Sequence, residues 1–459
     1  MNKDEEMFIK NKDIPPLVEN SGIQFLDFKI DLTDDEVRDR VARGTYIRTD
    51  AGLEKMKKLK HLCSKEQYAE LSDINKSKFR NMMTGEDVSQ NGGFFNISLD
   101  DALRAYEGRW FPVPVLKRID GDRSYARGPV SWAKAYFRRM NVPDNEKAEC
   151  YHLVIAVDTT VDEKKLLTEE GFYTCPDKDE VRNGAVFSFC NNFMDINEFV
   201  SLEKVGKCIE NIWNIHALKE EYSNERLVKE KANLYCLGYY FNIMEVLLDK
   251  HIITIPDIRI QEYSRAGSIA ADVVIDVGNS RTCALITEST EVENFAGKYQ
   301  IEIRDLTDPT CIYTEAFPSR VEFADPSFSD DKCSDLGWGR FNWASMVRVG
   351  YEAQKLSFHL DGGENLTGLS SPKRYLWDNK PQTMQWYKNI SLRPDVTGTP
   401  KAIVSPIANF FDDEGNALFF TDNALAAFET RYSRKSLMTF LINEIIAQTF
   451  CQINSVRQR

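Results

Sequence analysis

The sequence predicts a fold that combines the α/β and α+β classes. Short alternating or apolar runs mix with helical stretches over residues 21–194, helical spacing dominates residues 195–253, and a strand–turn–strand pattern follows at residues 272–286. The chain of 459 residues contains 42% hydrophobic and 28% charged residues, which is typical of a globular protein with several domains. A chain of this length buries enough apolar surface for more than one sizeable core.

The N-terminal part is predicted to be a polar lead-in, residues 1–20, followed by an α+β domain, residues 21–194. Within this domain, the partial alternation of residues 23–30 and the apolar run of residues 152–157 predict strands. Residues 54–83 are rich in Lys and Glu and have Leu and Met at helical spacing, so they predict a helix between the two strands.

A helical segment with a connector is predicted over residues 195–265, in which residues 226–249 form a long apolar stretch without proline. A second domain is predicted over residues 266–459. Its last element, residues 433–452, has apolar residues at helical spacing around much of its circumference, which predicts a largely buried helix.

Charge and composition exclude several classes of function. A formal net charge of −13 argues against nucleic-acid binding, since a nucleic-acid-binding surface is normally basic. No apolar run approaches the about 20 residues that span a bilayer, and the charged N-terminus lacks the apolar core of a signal peptide. The ten cysteines are scattered without a C-x-x-C pair, which favours reduced thiols. We therefore expect a cytoplasmic protein without a membrane span.

The most informative segment is residues 272–286, with the sequence DVVIDVGNSRTCALI. Its apolar start at residues 273–275 predicts a buried strand, and a glycine turn then leads into a second strand. Such a turn can wrap around phosphate oxygens, and an Asp at the end of the first strand can hold a hydrated Mg²⁺ beside them. The alternatives are an ordinary hairpin turn and an Asp that only caps it. Glycine at position 278 is expected to leave room for the phosphate. The predicted metal ligand is Asp276, and the predicted phosphate contacts are Gly278, Asn279, Ser280, Arg281 and Thr282.

A similar pattern occurs at residues 153–160, LVIAVDTT, where an apolar run ends in an Asp and two threonines. No glycine follows Asp158, so a phosphate would not approach the backbone closely. Residues 153–160 are therefore predicted to form a structural strand.

The segment at 272–286 resembles the first phosphate loop of the actin-like ATPase superfamily, which includes actin, sugar kinases and DnaK-type chaperones. Three further segments resemble the chaperones in the same order: a Pro-Ser strand at 317–323, a Gly-x-x-Ala helix start at 349–355 and a Lys loop at 370–377. The resemblance implies the first half of an actin-like, ribonuclease-H-like ATPase fold, a mixed sheet with the glycine turn at its first hairpin, and ATP and Mg²⁺ as cofactors. It also implies a catalytic role for Lys373, which would stabilise charge in the transition state.

Over most of its length the chain resembles the bacterial virulence factor SrfB family. The resemblance includes residues 21–28 and 128–133 and the loops DVGNSRT and SSPKRYLWD, and it runs from about residue 20 to the end. It implies a nucleotide site of uncertain molecular role, a conformational switch driven by ATP, and a protein partner that the sequence does not identify.

Actin-like ATPases close their site with a second half that supplies another phosphate loop and the adenosine contact. Because no such pattern follows in the sequence, we expect the first part of a longer protein or a shortened form, inactive as an ATPase by itself. Two alternatives remain open. One is a non-enzymatic scaffold that retains the fold, and the other is a small-molecule kinase, since Asp-x-Gly-Asn-Ser also resembles type III pantothenate kinases.

Overall fold

The computed structural model describes most of the chain. The described residues are 7–9, 13–49, 52–90, 93–119, 125–130, 132–141, 149–167, 171–190, 192–219, 225–264, 269–289, 297–326, 341–358, 366–389, 401–402, 411–412 and 430–459.

The first 261 residues contain fourteen described strands and eight described helices. The strands are β1 (Leu17–Val18), β2 (Ile23–Asp31), β3 (Arg43–Thr49), β4 (Gly52–Lys58), β5 (Lys78–Asn81), β6 (Asp87–Ser89), β7 (Phe94–Ser98), β8 (Phe111–Pro112), β9 (Val115–Arg118), β10 (Tyr125–Ala126), β11 (Ala133–Arg139), β12 (Cys150–Asp158), β13 (Val186–Phe189) and β14 (Ile258–Gln261). The helices are α1 (Asp35–Val41), α2 (Lys65–Ala69), α3 (Asp73–Lys76), α4 (Leu99–Tyr106), α5 (Lys178–Arg182), α6 (Phe193–Ser201), α7 (Glu203–Lys219) and α8 (Glu225–Leu248).

These strands form three sheets around one apolar core. Their orders are β2-β12-β11-β8, β1-β14-β13-β9-β10 and β6-β5-β4-β3-β7, and β1 with β14 is the one parallel pair among the described strands. Strand β12 lies between β2 and β11, and all nine of its residues are buried. Its continuous apolar run is typical of a strand covered on both faces, so the predicted strand at 152–157 is confirmed. Helices α4, α6, α7 and α8 contribute to the same core.

The predicted helix over residues 54–83 is wrong. The segment instead contains β4, a 3₁₀ turn, the short helices α2 and α3, and β5. Strand β4 pairs with both β3 and β5, and its buried Lys55 forms an ion pair with the equally buried Glu245 of α8. Pairing on both edges and a charge partner 190 residues away therefore override the local helix propensity of the Lys- and Glu-rich sequence.

The C-terminal part contains eleven described strands and two described helices. The strands are β15 (Ala270–Val277), β16 (Arg281–Ser289), β17 (Gly297–Gln300), β18 (Ile303–Arg304), β19 (Ile312–Tyr313), β20 (Phe317–Pro318), β21 (Arg320–Phe323), β22 (Val347–Val349), β23 (Gly368–Ser370), β24 (Tyr387–Lys388) and β25 (Lys401–Ala402). The helices are α9 (Gly350–Phe358) and α10 (Ser436–Ile453).

The predicted hairpin at the glycine turn is present as the antiparallel pair β15–β16, which β17 and β20 extend into one sheet. Strands β21, β22 and β23 form a second antiparallel sheet against α9 and α10. All strand pairs described between residues 266 and 459 are antiparallel, so these pairs do not form the mixed sheet that the actin-like resemblance implies. The predicted helix at 433–452 is confirmed as α10, whose buried face packs against the second sheet.

Residues 273–275 form a strand as predicted, but the prediction that this strand is buried is wrong. Val273 is 37% exposed and Val274 is 62% exposed. Among the described strands, β15 pairs only with β16 and forms an edge of its sheet. An apolar run is compatible with either a central or an edge strand, and here the edge position leaves the valines accessible.

A third apolar cluster joins the two parts of the chain. It includes Phe25 of β2, Trp343 and Leu306. Beside it, the buried Arg304 donates two hydrogen bonds to the buried Asp27 carboxylate, of 2.9 and 2.8 Å, and Asp27 also lies 2.9 Å from the His152 ring. The two parts therefore meet through packed apolar side chains and a buried charge pair.

Candidate functional site

The glycine turn of the β15–β16 hairpin is closed by its own backbone. The Gly278 amide donates to the Arg281 carbonyl oxygen over 2.9 Å, which leaves Asn279 and Ser280 exposed at the tip. A Cβ atom on Gly278 would lie 2.5 Å from that same oxygen, a distance that no side chain tolerates. The absence of a side chain at 278 is thus required by the turn itself, with or without a ligand.

Ser319, in the connection between β20 and β21, holds the turn from behind. Its amide donates to the Ser280 carbonyl oxygen over 2.9 Å, and its hydroxyl donates to the Gly278 carbonyl oxygen over 2.9 Å. The Ser319 and Thr282 hydroxyl oxygens lie 2.8 Å apart. Since a hydroxyl has one proton to donate, Thr282 is the donor in that contact.

Lys373 also contacts this turn, although it lies 96 residues further along the chain than Val277. The Ser371 amide donates to the Ser319 carbonyl oxygen over 2.6 Å, and Ser371 adopts a left-handed backbone with φ of 56°. The 3₁₀ turn Pro372–Tyr375 follows, and its Lys373 ammonium donates to the Val277 carbonyl oxygen over 2.7 Å. Residues 96 positions apart are therefore brought into direct contact at the turn.

Asp276 is exposed on the outer face of β15, directly across the hairpin from Cys283. It precedes Val277, whose carbonyl oxygen accepts the hydrogen bond from Lys373. No hydrogen bond or ion pair involves the Asp276 side chain within the described part of the chain, which leaves its oxygens accessible to a cation.

Two of the predicted phosphate contacts have structural roles. The Arg281 guanidinium donates to the Ala316 carbonyl oxygen over 3.1 Å and so ties the hairpin to the segment before β20. Thr282 is 1% exposed, and its hydroxyl is directed at Ser319. The accessible groups at the turn are the Asp276 carboxylate, the Asn279–Ser280 tip, the Lys373 ammonium and the exposed Arg281 side chain.

The Gly-x-x-Ala segment also supports this region, because Gly350 begins α9 with φ of +67°. A Cβ atom there would meet the buried Phe317 side chain at 3.0 Å. Phe317 belongs to β20, which pairs with β16 beside Thr282. Close packing of α9 on β20 thus fixes the strand that precedes Ser319.

Sequence reasoning did not single out Ser319, although it noted the Pro-Ser strand that contains it. The sequence feature that points to Ser319 is a small hydroxyl residue directly after a Phe-Pro pair. Its four backbone and side-chain contacts require knowledge of which segments meet at the turn.

The chemistry of the site fits a phosphate with its own cation better than a bare metal ion. Among the described residues, no three His, Cys, Asp or Glu side chains are grouped as metal ligands. Mg²⁺ commonly keeps several waters and is bound through one or two carboxylates together with substrate phosphates. The accessible Asp276 carboxylate can contribute one such ligand.

A match to a protein-family model shows which family the chain belongs to. The family model described as virulence factor SrfB matches residues 7–459. The chain belongs to the SrfB virulence factor family. The predicted family resemblance is thus confirmed over nearly the whole sequence. No curated protein and no solved structure matches the chain. None of the helices in the described portion has the length and apolar character needed to cross a membrane.

Proposed function

We propose that this SrfB-family chain binds a nucleotide through the turn site, which we define as Asp276, the tip residues Asn279 and Ser280, and Lys373. The observation that carries the proposal is the contact of the Lys373 ammonium with the Val277 carbonyl oxygen at 2.7 Å. It brings an accessible cation to the residue that follows the accessible Asp276, on a turn that Ser319 holds by hydrogen bonds. A phosphate chain with bound Mg²⁺ requires both kinds of group.

In this proposal the nucleotide is ATP, and its Mg²⁺ is held at Asp276. The metal would neutralise the charge of the phosphate oxygens. The Asn279 and Ser280 amides are directed at the phosphates, since neither donates to an acceptor in the described part of the chain. The ammonium of Lys373 has three protons, of which the Val277 contact uses one, and the others serve the terminal phosphate.

The actin-like, ribonuclease-H-like fold is part of this proposal. Its support is the hairpin with Gly278 at the turn, the Pro-Ser segment directly behind it and the Lys loop that returns to it. We propose that ATP acts as a conformational switch that alters affinity for an unidentified protein partner in the cytoplasm. The three converging segments surround the turn, so occupancy of the site would be transmitted to both sheets of the C-terminal part.

A scaffold without enzymatic activity is the second candidate. Two observations favour it: the clash at 2.5 Å explains Gly278 by the turn alone, and the Thr282 hydroxyl is already bonded to Ser319. In this case the same contacts serve only to hold the hairpin. The remaining alternative, a small-molecule kinase, differs from both because release of ADP would depend on an added acceptor.

Calorimetric titration of the chain with ATP, with and without Mg²⁺, tests the proposal. Asp276→Ala should weaken binding of Mg·ATP by about tenfold or more, because the metal loses its protein carboxylate. Asp272→Ala is the matched control, since Asp272 is exposed on the same face of β15 two pleat repeats away. Equal affinities of the parent and Asp276→Ala would leave the scaffold as the better description.

Lys373→Ala separates binding from turnover. Its proposed role lies mainly in the transition state, so affinity for Mg·ATP should change little, and phosphate release should slow in any form of the protein that hydrolyses ATP. Lys298→Ala is the control, because Lys298 is another exposed lysine and lies on β17, away from the loop that carries Lys373. Unchanged phosphate release in Lys373→Ala, measured beside a parent that does release phosphate, would contradict the catalytic assignment.

A further inference from the structure

One tryptophan differs from the others in its environment. Trp377 is 73% exposed, whereas the other tryptophans in the described part of the chain are at most 6% exposed. Tryptophan is enriched at interfaces, because its ring combines a large apolar surface with a polar N–H group, so an exposed indole is a candidate contact for a ligand. Trp377 follows Lys373 by four residues, on the loop that reaches the turn site.

The exposed indole is held on an ordered loop. The Asp378 amide donates to the Tyr375 carbonyl oxygen over 2.9 Å, and the Asp378 carboxylate accepts from the Arg434 guanidinium over 2.6 Å. The guanidinium carbon lies 4.5 Å from the centre of the Tyr375 ring and 5.9 Å from that of Trp377. The loop is thereby attached to the segment that leads into α10, so little conformational entropy would be lost when a ligand binds to the indole.

The surroundings of Trp377 carry a charge opposite to that of the whole chain. Residues 371–382 and 430–435 are in contact, because the Lys435 amide donates to the Asp378 carbonyl oxygen and the Gln382 amide to the Arg431 carbonyl oxygen. We call them together the basic loop surface. It contains six basic residues and one acidic residue, Asp378, in a chain with a net charge of −13. The basic residues are Lys373, Arg374, Lys380, Arg431, Arg434 and Lys435.

An exposed aromatic ring within a basic surface matches a ligand that is both anionic and aromatic. The chain from Lys373 to Trp377 begins as a 3₁₀ turn, which rises about 2 Å per residue, so their Cα atoms are separated by roughly 8 Å. A nucleotide likewise has its phosphates and its base at different ends. An apolar protein partner would use the indole and Leu376 but would offer no counter-charge to exposed cations such as Arg374 and Lys380.

We propose that Trp377 is the stacking platform for the base of the nucleotide whose phosphates occupy the turn site. This inference rests on the proposed function and extends it. It assigns the base contact to the loop that also carries Lys373, whereas the actin-like resemblance implies an adenosine contact on a second half. Stacking on an indole tolerates any base, since every base has a π face. The site should therefore accept purine nucleotides without strong preference between adenine and guanine.

The test compares nucleotides with the phosphate chain alone. Affinities for Mg·ATP, Mg·GTP and Mg·tripolyphosphate are measured by calorimetry for the parent, Trp377→Ala, Trp377→Phe and Phe358→Ala. Phe358 is the control because it is an equally exposed aromatic residue, 76% exposed, outside the basic loop surface. Iodide quenches the fluorescence of exposed indoles selectively. The iodide-sensitive part of the fluorescence therefore reports whether a base is stacked on Trp377.

Trp377→Ala should weaken binding of Mg·ATP and Mg·GTP by roughly 5- to 150-fold and leave binding of Mg·tripolyphosphate unchanged. Trp377→Phe should retain most of the affinity, and Phe358→Ala should bind like the parent. ATP, but not tripolyphosphate, should protect the indole of the parent from iodide.

Three results would overturn the proposal, and they are distinguishable. If tripolyphosphate binds in an Asp276-dependent manner while Trp377→Ala binds ATP like the parent, base stacking is wrong and the phosphate site stands. If neither ATP nor tripolyphosphate binds, the proposed function fails as well. If a single-stranded oligonucleotide binds more tightly than ATP and loses affinity in Trp377→Ala, the surface recognises nucleic acid instead.

Discussion

Two strands with similar sequences have opposite environments in this molecule. Residues 153–160, LVIAVDTT, and residues 272–282, DVVIDVGNSRT, both consist of apolar residues that lead to an Asp and then to hydroxyl residues. The first forms most of β12, which pairs with a strand on each edge and is buried throughout. The second forms β15 and the hairpin turn, and β15 pairs on one described edge only.

The two aspartates show how the environment of the strand determines the role of a carboxylate. Asp158 is 5% exposed and accepts hydrogen bonds from the Phe341 amide over 2.7 Å and the Thr160 amide over 2.9 Å. Asp276 is exposed and has no such partner in the described part of the chain. A carboxylate whose oxygens are already used stabilises the fold, whereas one with accessible oxygens is available to a ligand. The same local pattern therefore acquires a structural or a functional character from its neighbours.

The largest expected effect concerns the buried charge pair beside β12. Arg304→Met would leave the Asp27 carboxylate buried without its guanidinium, and loss of one member of a buried pair costs about 3–5 kcal/mol. Arg457→Met is the control, because its ion pair with Glu302 is partly exposed and should contribute about 1 kcal/mol or less. Urea denaturation of both variants measures the free energy of unfolding, and similar losses would contradict the expectation.

The same pair predicts a pH dependence of stability. Burial alone would raise the pKa of Asp27, but Arg304 and the hydrogen bonds from His152 and Arg304 hold this pKa well below its usual range. Because the folded pKa lies below the unfolded value of about 3.9, the stabilisation is present above that pH and is lost as the pH falls further. The gap in unfolding free energy between the parent and Arg304→Met should therefore narrow below about pH 4. A constant gap between pH 6 and pH 2.5 would show that Asp27 does not titrate as described.

The next effect compares the two aspartates directly. Asp158→Ala removes the acceptor for the Phe341 and Thr160 amides at a buried position and should lower the unfolding free energy by about 2–4 kcal/mol. Asp276→Ala should change it by no more than about 0.5 kcal/mol, since the side chain is exposed. Midpoints of urea denaturation at one pH measure both. A large loss in Asp276→Ala would mean that the carboxylate serves the fold, which would weaken its assignment to Mg²⁺.

The smallest expected effects on stability come from the same substitution, Val to Ala, at two positions. Val154→Ala opens a cavity in the fully buried β12 and should cost about 2 kcal/mol, from lost transfer free energy and the cavity. Val274→Ala, at a residue that is 62% exposed on β15, should cost less than about 0.5 kcal/mol. A cost at Val274 equal to that at Val154 would indicate that another surface covers β15 in solution.

The elements that the sequence predicted correctly share strong local signals. Strand β12 has a continuous apolar run, α8 contains a long apolar stretch without proline, and α10 has apolar residues at helical spacing over 18 residues. The hairpin at Gly278 was predicted from its glycine and its flanking β-branched runs, and the clash at 2.5 Å confirms that glycine is required there. These features depend on residues close together in sequence.

The incorrect predictions depend on residues far apart. The segment at 54–83 has helical propensity, yet Lys55 is drawn into a strand by its buried partner Glu245 and by pairing with β3 and β5. Val274 has strong strand propensity, but nothing near it in sequence indicates that β15 is an edge strand.

At the candidate site, the sequence by itself determined the turn: a glycine where a Cβ would collide with the Arg281 carbonyl oxygen, and a carboxylate two residues earlier. Only the tertiary structure decided that Ser319 supports the turn, that Thr282 is consumed by that support, and that Lys373 approaches from 96 residues away. Backbone sterics act between neighbouring residues and are therefore readable in sequence. The burial and accessibility of a charged or hydroxyl group depend on which distant segments pack against it, and these are brought together only by the complete fold.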